Sequence, residues 1–166
     1  MLEFRNHSDY GFEIIDAPIE PYEISTDAQF FNILRFNELD LSFKIAGDEY
    51  RCSNFAPEVF EFFYDFIAKS SQGNSEIYRL LRESGSPLSF GDRAGEFTFR
   101  FFSYPQQSTV SVNFQRDELS EYLSAFVLWY HQAVSGIILN HAQVSKLSEK
   151  ICEFGTALAA FQAVEN

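Results

Sequence analysis

Residues Glu96–Ala133 read EFTFRFFSYPQQSTVSVNFQRDELSEYLSAFVLWYHQA, and few folds accommodate such a stretch. Phe97, Phe99 and Phe101 alternate with Glu96, Thr98 and Arg100. Alternation with period two belongs to a strand that buries one face and wets the other. Tyr104-Pro105-Gln106-Gln107 ends the run, because proline fixes φ and has no N–H for a ladder. Val110, Val112 and Phe114 resume it, with Thr109, Ser111 and Asn113 between them. The segment therefore predicts an antiparallel hairpin with one apolar face. Asp117 is expected to cap a helix whose apolar stripe is Leu119, Tyr122, Leu123, Phe126, Val127, Tyr130 and Val134.

The same arrangement occurs upstream. Leu39, Leu41, Phe43 and Ile45 alternate with Asp40, Ser42 and Lys44, and Tyr50 and Cys52 continue a return strand. Gly47-Asp48 predicts a type II′ turn between them. Pro57 suits a first helical turn, and Val59, Phe62, Phe63, Phe66 and Ile67 form the stripe that follows. Residues 38–69 and 96–134 thus each read as a hairpin followed by an amphipathic helix. Between them, Gly73–Ser84 predicts a shorter helix stopped by Gly85, and Pro87–Phe90 a short strand before a turn at Gly91–Gly95. Leu2 with Phe4, Phe12 with Ile14, and Phe30–Phe36 predict further strands. Gly136 is expected to interrupt or end the long helix. From His141 to Val164 the apolar residues Val144, Leu147, Ile151, Phe154, Leu158 and Phe161 step by three and four, a short heptad seam. That seam predicts a C-terminal helix (141–164) packed on its own domain or joining a homodimer.

The expected fold is α+β: an antiparallel β-sheet of roughly five to seven strands covered on one face by helices, with two hairpin-helix units plus a C-terminal helix. The 166 residues suit a single domain spanning 1–166, and 46% hydrophobic and 17% aromatic content excludes a disordered chain. Twenty phenylalanines, against one Met and one Trp, predict a core made mainly of Phe, Leu, Ile and Val.

Charge narrows the classes of partner. A formal net charge of −12 disfavours nucleic acid and anionic membrane, and suits a basic protein or simple solubility. Residues 1–30 read as an edge strand with a solvated loop, or as an acidic N-terminal arm that meets a basic partner: Asp9, Glu13, Asp16, Glu20, Glu23 and Asp27 occur between Asn6 and Leu34 with no Lys or Arg. Glu58, Glu61 and Asp65 make an acidic helix face, balanced only by Lys69. The sequence shows no secretory signal or membrane-length apolar run. Cys52 and Cys152, far apart, read as free thiols of a cytoplasmic protein.

Chemistry-bearing motifs are sparse. His7, His131 and His141 have neither HExxH nor Cys/His ligand spacing, and no GxSxG, P-loop or GxGxxG occurs. No catalytic residue, metal or cofactor is expected. Glu58, Glu61 and Asp65, or Asp117, Glu118 and Glu121, lie where helical periodicity predicts water, which suits a solvated face better than acid/base work. Trp129 sits beside the main stripe of its helix and is a candidate interface anchor or a core residue.

Residues 38–134, with LSFKIAGDEYRCSNFAPEVFEFFYDFI and FTFRFFSYPQQSTVSVNFQRDELSEYLSAFV as the matching stretches, resemble the small bacterial immunity proteins of the WapI type. The likeness is one of layout: hairpin, Pro-Glu helix start with aromatics, second hairpin, and a helix with an acidic start. It implies a non-enzymatic protein that binds a cognate toxin, and an acidic inhibitor suits a basic one. The expected partner-binding residues are Glu58, Glu61, Asp65, Glu20, Glu23 and Trp129. A small-ligand or enzyme domain with an aromatic-lined pocket, and a dimeric structural or adaptor subunit, stay open as alternatives.

Overall fold

The computed structural model describes residues 3–5, 9–15, 22–23, 26, 28–29, 38–70, 78–80, 88–93, 95–139 and 142–164. Ten strands are described: β1 Glu3–Arg5, β2 Tyr10–Ile14, β3 Tyr22–Glu23, β4 Glu38–Ile45, β5 Asp48–Phe55, β6 Tyr78–Leu80, β7 Leu88–Arg93, β8 Glu96–Ser103, β9 Ser108–Gln115 and β10 Ile138–Leu139. Three long helices among the described residues accompany them: α1 Ala56–Ser70, α2 Arg116–Ile137 and α3 Ala142–Ala163. The fold is α+β. Two four-stranded antiparallel sheets, ordered β1-β2-β4-β5 and β6-β7-β8-β9, are joined by a separate parallel pairing of β3 with β10.

The hairpin-helix units are larger than the periodicity indicated. Each is a four-stranded antiparallel sheet whose last strand runs without a break into a helix, Phe55 into Ala56 and Gln115 into Arg116. Within 1–30, the strand expected at Phe12 and Ile14 is present, and those residues are sheet and not a free arm. β2 pairs with β4 along five residues and places Phe12 in the core at 1% exposure, so residues 10–14 belong to the first sheet.

Each helix covers the other unit's sheet. On α1, Phe62, Phe63 and Phe66 pack on Phe90 of β7, and Phe63 and Phe66 reach Phe99 and Phe97 of β8. On α2, Tyr122, Phe126 and Trp129 pack on Phe12 of β2, and Tyr122 also meets Tyr10 and Phe43 of the first sheet. The helices meet through Phe60 with Tyr130 and Phe63 with Phe126. The inner faces of the sheets touch where Phe43 packs on Phe99 and Phe101. Tyr122 lies where these contacts converge, fully buried.

Helix α3 takes the first of the two roles expected for it. Leu147, Phe154, Leu158 and Phe161 are buried in the same chain's core, and Val144 and Ile151 pack at its margin. The heptad seam is therefore occupied within the protomer, and the homodimer through it is withdrawn. Arg116 fixes the far end: its guanidinium stacks over Phe97 and Phe161 and donates to the Phe161 carbonyl at 2.8 Å. Such a cation both satisfies an orphan carbonyl and faces the negative end of the helix dipole.

Several local expectations change. The β4–β5 turn is Ala46-Gly47, with φ of 54° and 95°, because Ile45 pairs with Asp48. Two positive φ values make it type I′, whose twist matches the strands, in place of II′. The N-cap of α2 is Gln115, whose N–H donates to Glu118 at 2.8 Å, so Asp117 sits in the first turn and does not cap. Tyr78–Leu80, expected within a helix at Gly73–Ser84, is strand β6, because its backbone ladders with Leu88–Phe90 and tertiary pairing overrides local propensity. Gly136 does not interrupt α2 but lies in its last turn, one residue before the helix ends at Ile137. The strand expected at Phe30–Phe36 lies outside the described residues.

Two stability predictions follow from this packing. The Tyr122 hydroxyl is buried with no hydrogen-bond partner among the described residues. Tyr122→Phe keeps the ring and removes the orphan donor, so it should raise unfolding stability by about 1 kcal/mol; a clear loss would reveal an unseen partner. Gly155 sits exposed inside α3 with nothing within 4 Å of an added Cβ. Gly155→Ala should add about 0.5–1 kcal/mol in urea unfolding.

Candidate functional site: an acid-rimmed cleft beside a strand edge

Loops and strand ends bring together a cleft of about 660 Å³ between the two sheets. Asp9 and Tyr10 line it from β2 and the residue before it, Phe43–Ala46 from the end of β4, Ser111–Phe114 from β9, and Glu118 and Glu121 from α2. Four consecutive residues of β9 line the cleft, although successive side chains point to opposite faces of a sheet. It is therefore the edge of β9, not one face, that borders the space. β9 is the last strand of its sheet, paired with β8 on one side. β4 contributes an edge in the same way. Lys44 N–H donates to the Asp9 carbonyl at 2.8 Å, and Ile45 and Ala46 run on beyond the end of β2.

The floor is apolar and the rim charged. Phe43 and Phe114 are buried and Tyr10 half-buried, whereas Asp9, Lys44, Glu118 and Glu121 are exposed. Three carboxylates face one ammonium, so the rim is net negative. These carboxylates do not form a metal centre: among the described residues no three His, Cys, Asp or Glu side chains converge. Leu128, 61% exposed, lies two turns along α2 from Glu121 on the same side of the helix, outside the cleft lining.

The residues singled out from the sequence fall elsewhere. Glu61 and Asp65 are exposed on α1 and Glu58 is half-buried, and none of the three lines the cleft. Glu61 lies 3.8 Å from Lys150 of α3, which offsets part of that face's charge. Glu23 is exposed in β3, and Glu20 lies outside the described residues. Trp129 is buried at 6% exposure against Phe12 and Phe126, so its role is core packing and the interface-anchor reading is corrected. His131 pairs with Ser148 at 3.0 Å and links α2 to α3; His7 and His141 lie outside the described residues. Cys52 is buried and Cys152 exposed, and both are free. Of the cleft residues, Glu118 and Glu121 stood out in the sequence as a carboxylate pair. Asp9, Lys44 and the β9 edge carried no signal, because strand order is not written in one strand's own pattern.

A second polar cluster is structural. On the outer face of the first sheet, Asp40 is almost fully buried and accepts from Ser53 Oγ at 3.1 Å and Arg51 Nη1 at 3.2 Å. Arg51 also holds Glu49, at 2.8 Å. Burial raises the Asp40 carboxyl above its ordinary 3.8, against the pull of Ser53 and Arg51, and Glu13 across the strand pair adds to the rise. No helix of the described residues is long and apolar enough to cross a membrane. No protein-family model, curated protein or solved structure matches this chain.

The raised Asp40 value has a definite pH consequence. The folded state takes up this proton at higher pH than the unfolded chain does. Its contribution to stability is therefore full below the ordinary value and is lost as the pH rises through the raised one. Asp40→Asn removes the titration, so the stability of the parent relative to the variant should fall between pH 3.5 and pH 7. Denaturant unfolding of both at the two pH values measures this; a relative stability that rises with pH would contradict it.

Proposed function

We propose that this chain is a non-enzymatic binding domain that neutralises a basic protein partner by occluding it, as the resemblance to WapI-type immunity proteins implies for a cognate toxin. The observation that carries the reading is the acid-rimmed cleft: Asp9, Glu118 and Glu121 surround an apolar floor on a chain of net charge −12. Complementary charge speeds encounter and penalises wrong partners, while an apolar floor supplies area that can be buried on contact. The acidic face of α1, with Glu61 and Asp65, extends the field that a basic partner meets. A cytoplasmic setting, in the cell that makes the toxin, belongs to the same reading.

A small-ligand reading has one observation of its own. The cleft volume falls within the range of small-molecule pockets, and Tyr10, Phe43 and Phe114 give it aromatic walls. The edge of β9 along one side favours a polypeptide over a compact ligand.

Capture experiments with two charge-reversal baits separate these readings. One bait carries Asp9→Lys with Glu121→Lys and leaves Glu118 to hold the start of α2; the other carries Glu61→Lys with Asp65→Lys. With extract of the native cells at low salt, the parent chain should retain a basic protein that high salt releases. The cleft variant should lose it, and with the purified partner its association rate should fall about tenfold or more at low salt. Loss with the α1 variant alone would move the site to α1. Retention by every bait at both salt concentrations would refute electrostatic recognition.

A further inference from the structure

The two sheets treat their edges differently. The outer edge of β5 is covered: the Arg51 N–H donates to Ser103 Oγ at 3.2 Å, and Gln106 Nε2 donates to the Glu49 carbonyl at 2.9 Å. Both partners come from the end of β8 and the β8–β9 turn, so the second unit's hairpin closes the first unit's exposed strand. Ser103 and Gln106 are themselves hydrogen-bonded, which fixes that plug. On the outer edge of β9 the Gln115 N–H is taken by Glu118, and the main chain of Ser111–Phe114, where the edge borders the cleft, receives no hydrogen bond from a described residue beyond β8. Proteins generally block free edges, because a row of unpaired N–H and C=O groups is a template for another strand. Here one edge is blocked by side chains and the other opens onto a cleft.

The occupant follows from the surroundings of that edge. A chain of β conformation satisfies the β9 backbone by adding as a further strand, and its alternate side chains then fall on the cleft floor and at the rim. Side chains over Tyr10, Phe43 and Phe114 meet an apolar surface, and those at the rim meet Asp9, Glu118 and Glu121 against the single Lys44. A segment alternating apolar and cationic residues fits both. A second copy of this chain does not, because it would bring an identical acidic rim against this one. The β4–β5 turn at the cleft wall also holds Ala46 at a φ of 54°, a conformation that side chains other than Asn, Asp or Gly rarely adopt.

We propose that the cleft receives an extended basic segment of the partner protein, which adds to β9 as an edge strand of the second sheet. This rests on the reading of the chain as a binder of a basic protein and specifies how the contact is made.

The test uses the intact protein and four end-capped octapeptides. The first alternates lysine and valine; two others carry N-methyl groups on all the valines or on all the lysines; the fourth replaces lysine by glutamate. N-methylation of alternate residues removes the N–H groups of one strand edge and leaves charge and side chains in place. Binding is followed by calorimetry, and hydrogen exchange is read at Ser111–Phe114. Strand addition predicts that the parent peptide binds and slows exchange there. One N-methylated peptide should lose at least tenfold in affinity while its counterpart stays within about threefold, and the glutamate peptide should not bind. Equal binding of both N-methylated peptides would overturn strand addition and leave recognition by charge alone. Slowed exchange elsewhere, a β9-to-β9 dimer by light scattering, or no binding at millimolar peptide would also overturn it. Capture of a basic protein that the Asp9 and Glu121 reversals abolish is independent of those outcomes, so the two proposals fail separately.

Discussion

The structure depends on the exchange of helices between its two halves. α1 leaves the first sheet and buries Phe62, Phe63 and Phe66 on the second, while α2 leaves the second sheet and buries Tyr122, Phe126 and Trp129 on the first. Each sheet is thus covered in part by the other unit's helix, and the aromatic core is shared between the two units. Aromatic rings suit this task because each carries a large buried area and meets its neighbours edge-on or offset at 4.5–7 Å. Tyr122 shows the cost of the arrangement. Its ring meets Tyr10, Phe12, Phe43, Phe63 and Phe114, and its hydroxyl is carried into the core with the ring.

The exchange also accounts for the cleft. The inner faces of the sheets meet at Phe43, Phe99 and Phe101. The cleft lies beside the start of β2 and the end of β4, where α2 contributes Glu118 and Glu121 from its first turns. Carboxylates suit the first turns of a helix because the dipole is positive there and the first N–H groups lack partners. Glu118 serves the helix by accepting from the Gln115 N–H, and it also contributes to the rim. The acidity of the cleft is thus partly a by-product of starting a helix where the second sheet ends.

The two halves handle exposed backbone unequally. Ser103 and Gln106 reach from the second hairpin to close the β5 edge, and the same contact ties the sheets together. β9 lies on the other side of that hairpin and is left to the cleft. A binding surface at this place needs no moving part, since both the apolar floor and the strand edge are formed by the folded core. In the proposed contact, charge would select the approaching chain and the backbone edge would give it a direction.

Much of the fold was legible in the sequence. Phe97, Phe99 and Phe101, Val110, Val112 and Phe114, and the stripe from Leu119 to Val134 became a hairpin and a helix because alternation and helical periodicity report which side of an element is buried. The units at 38–69 and 96–134, the buried C-terminal seam and the free cysteines follow from the same local signals. What covers each buried face was decided only by tertiary structure: an apolar stripe states that it needs a partner and does not name it. Trp129 looked equally able to be core or anchor until Phe12 was found against it. Tyr78–Leu80 became a strand only through its ladder with β7. The stretch of β9 edge that no described residue pairs was least legible, because an edge is made of main-chain N–H and C=O groups, which every residue but proline supplies alike. Only the placement of neighbouring strands leaves such a row unpaired.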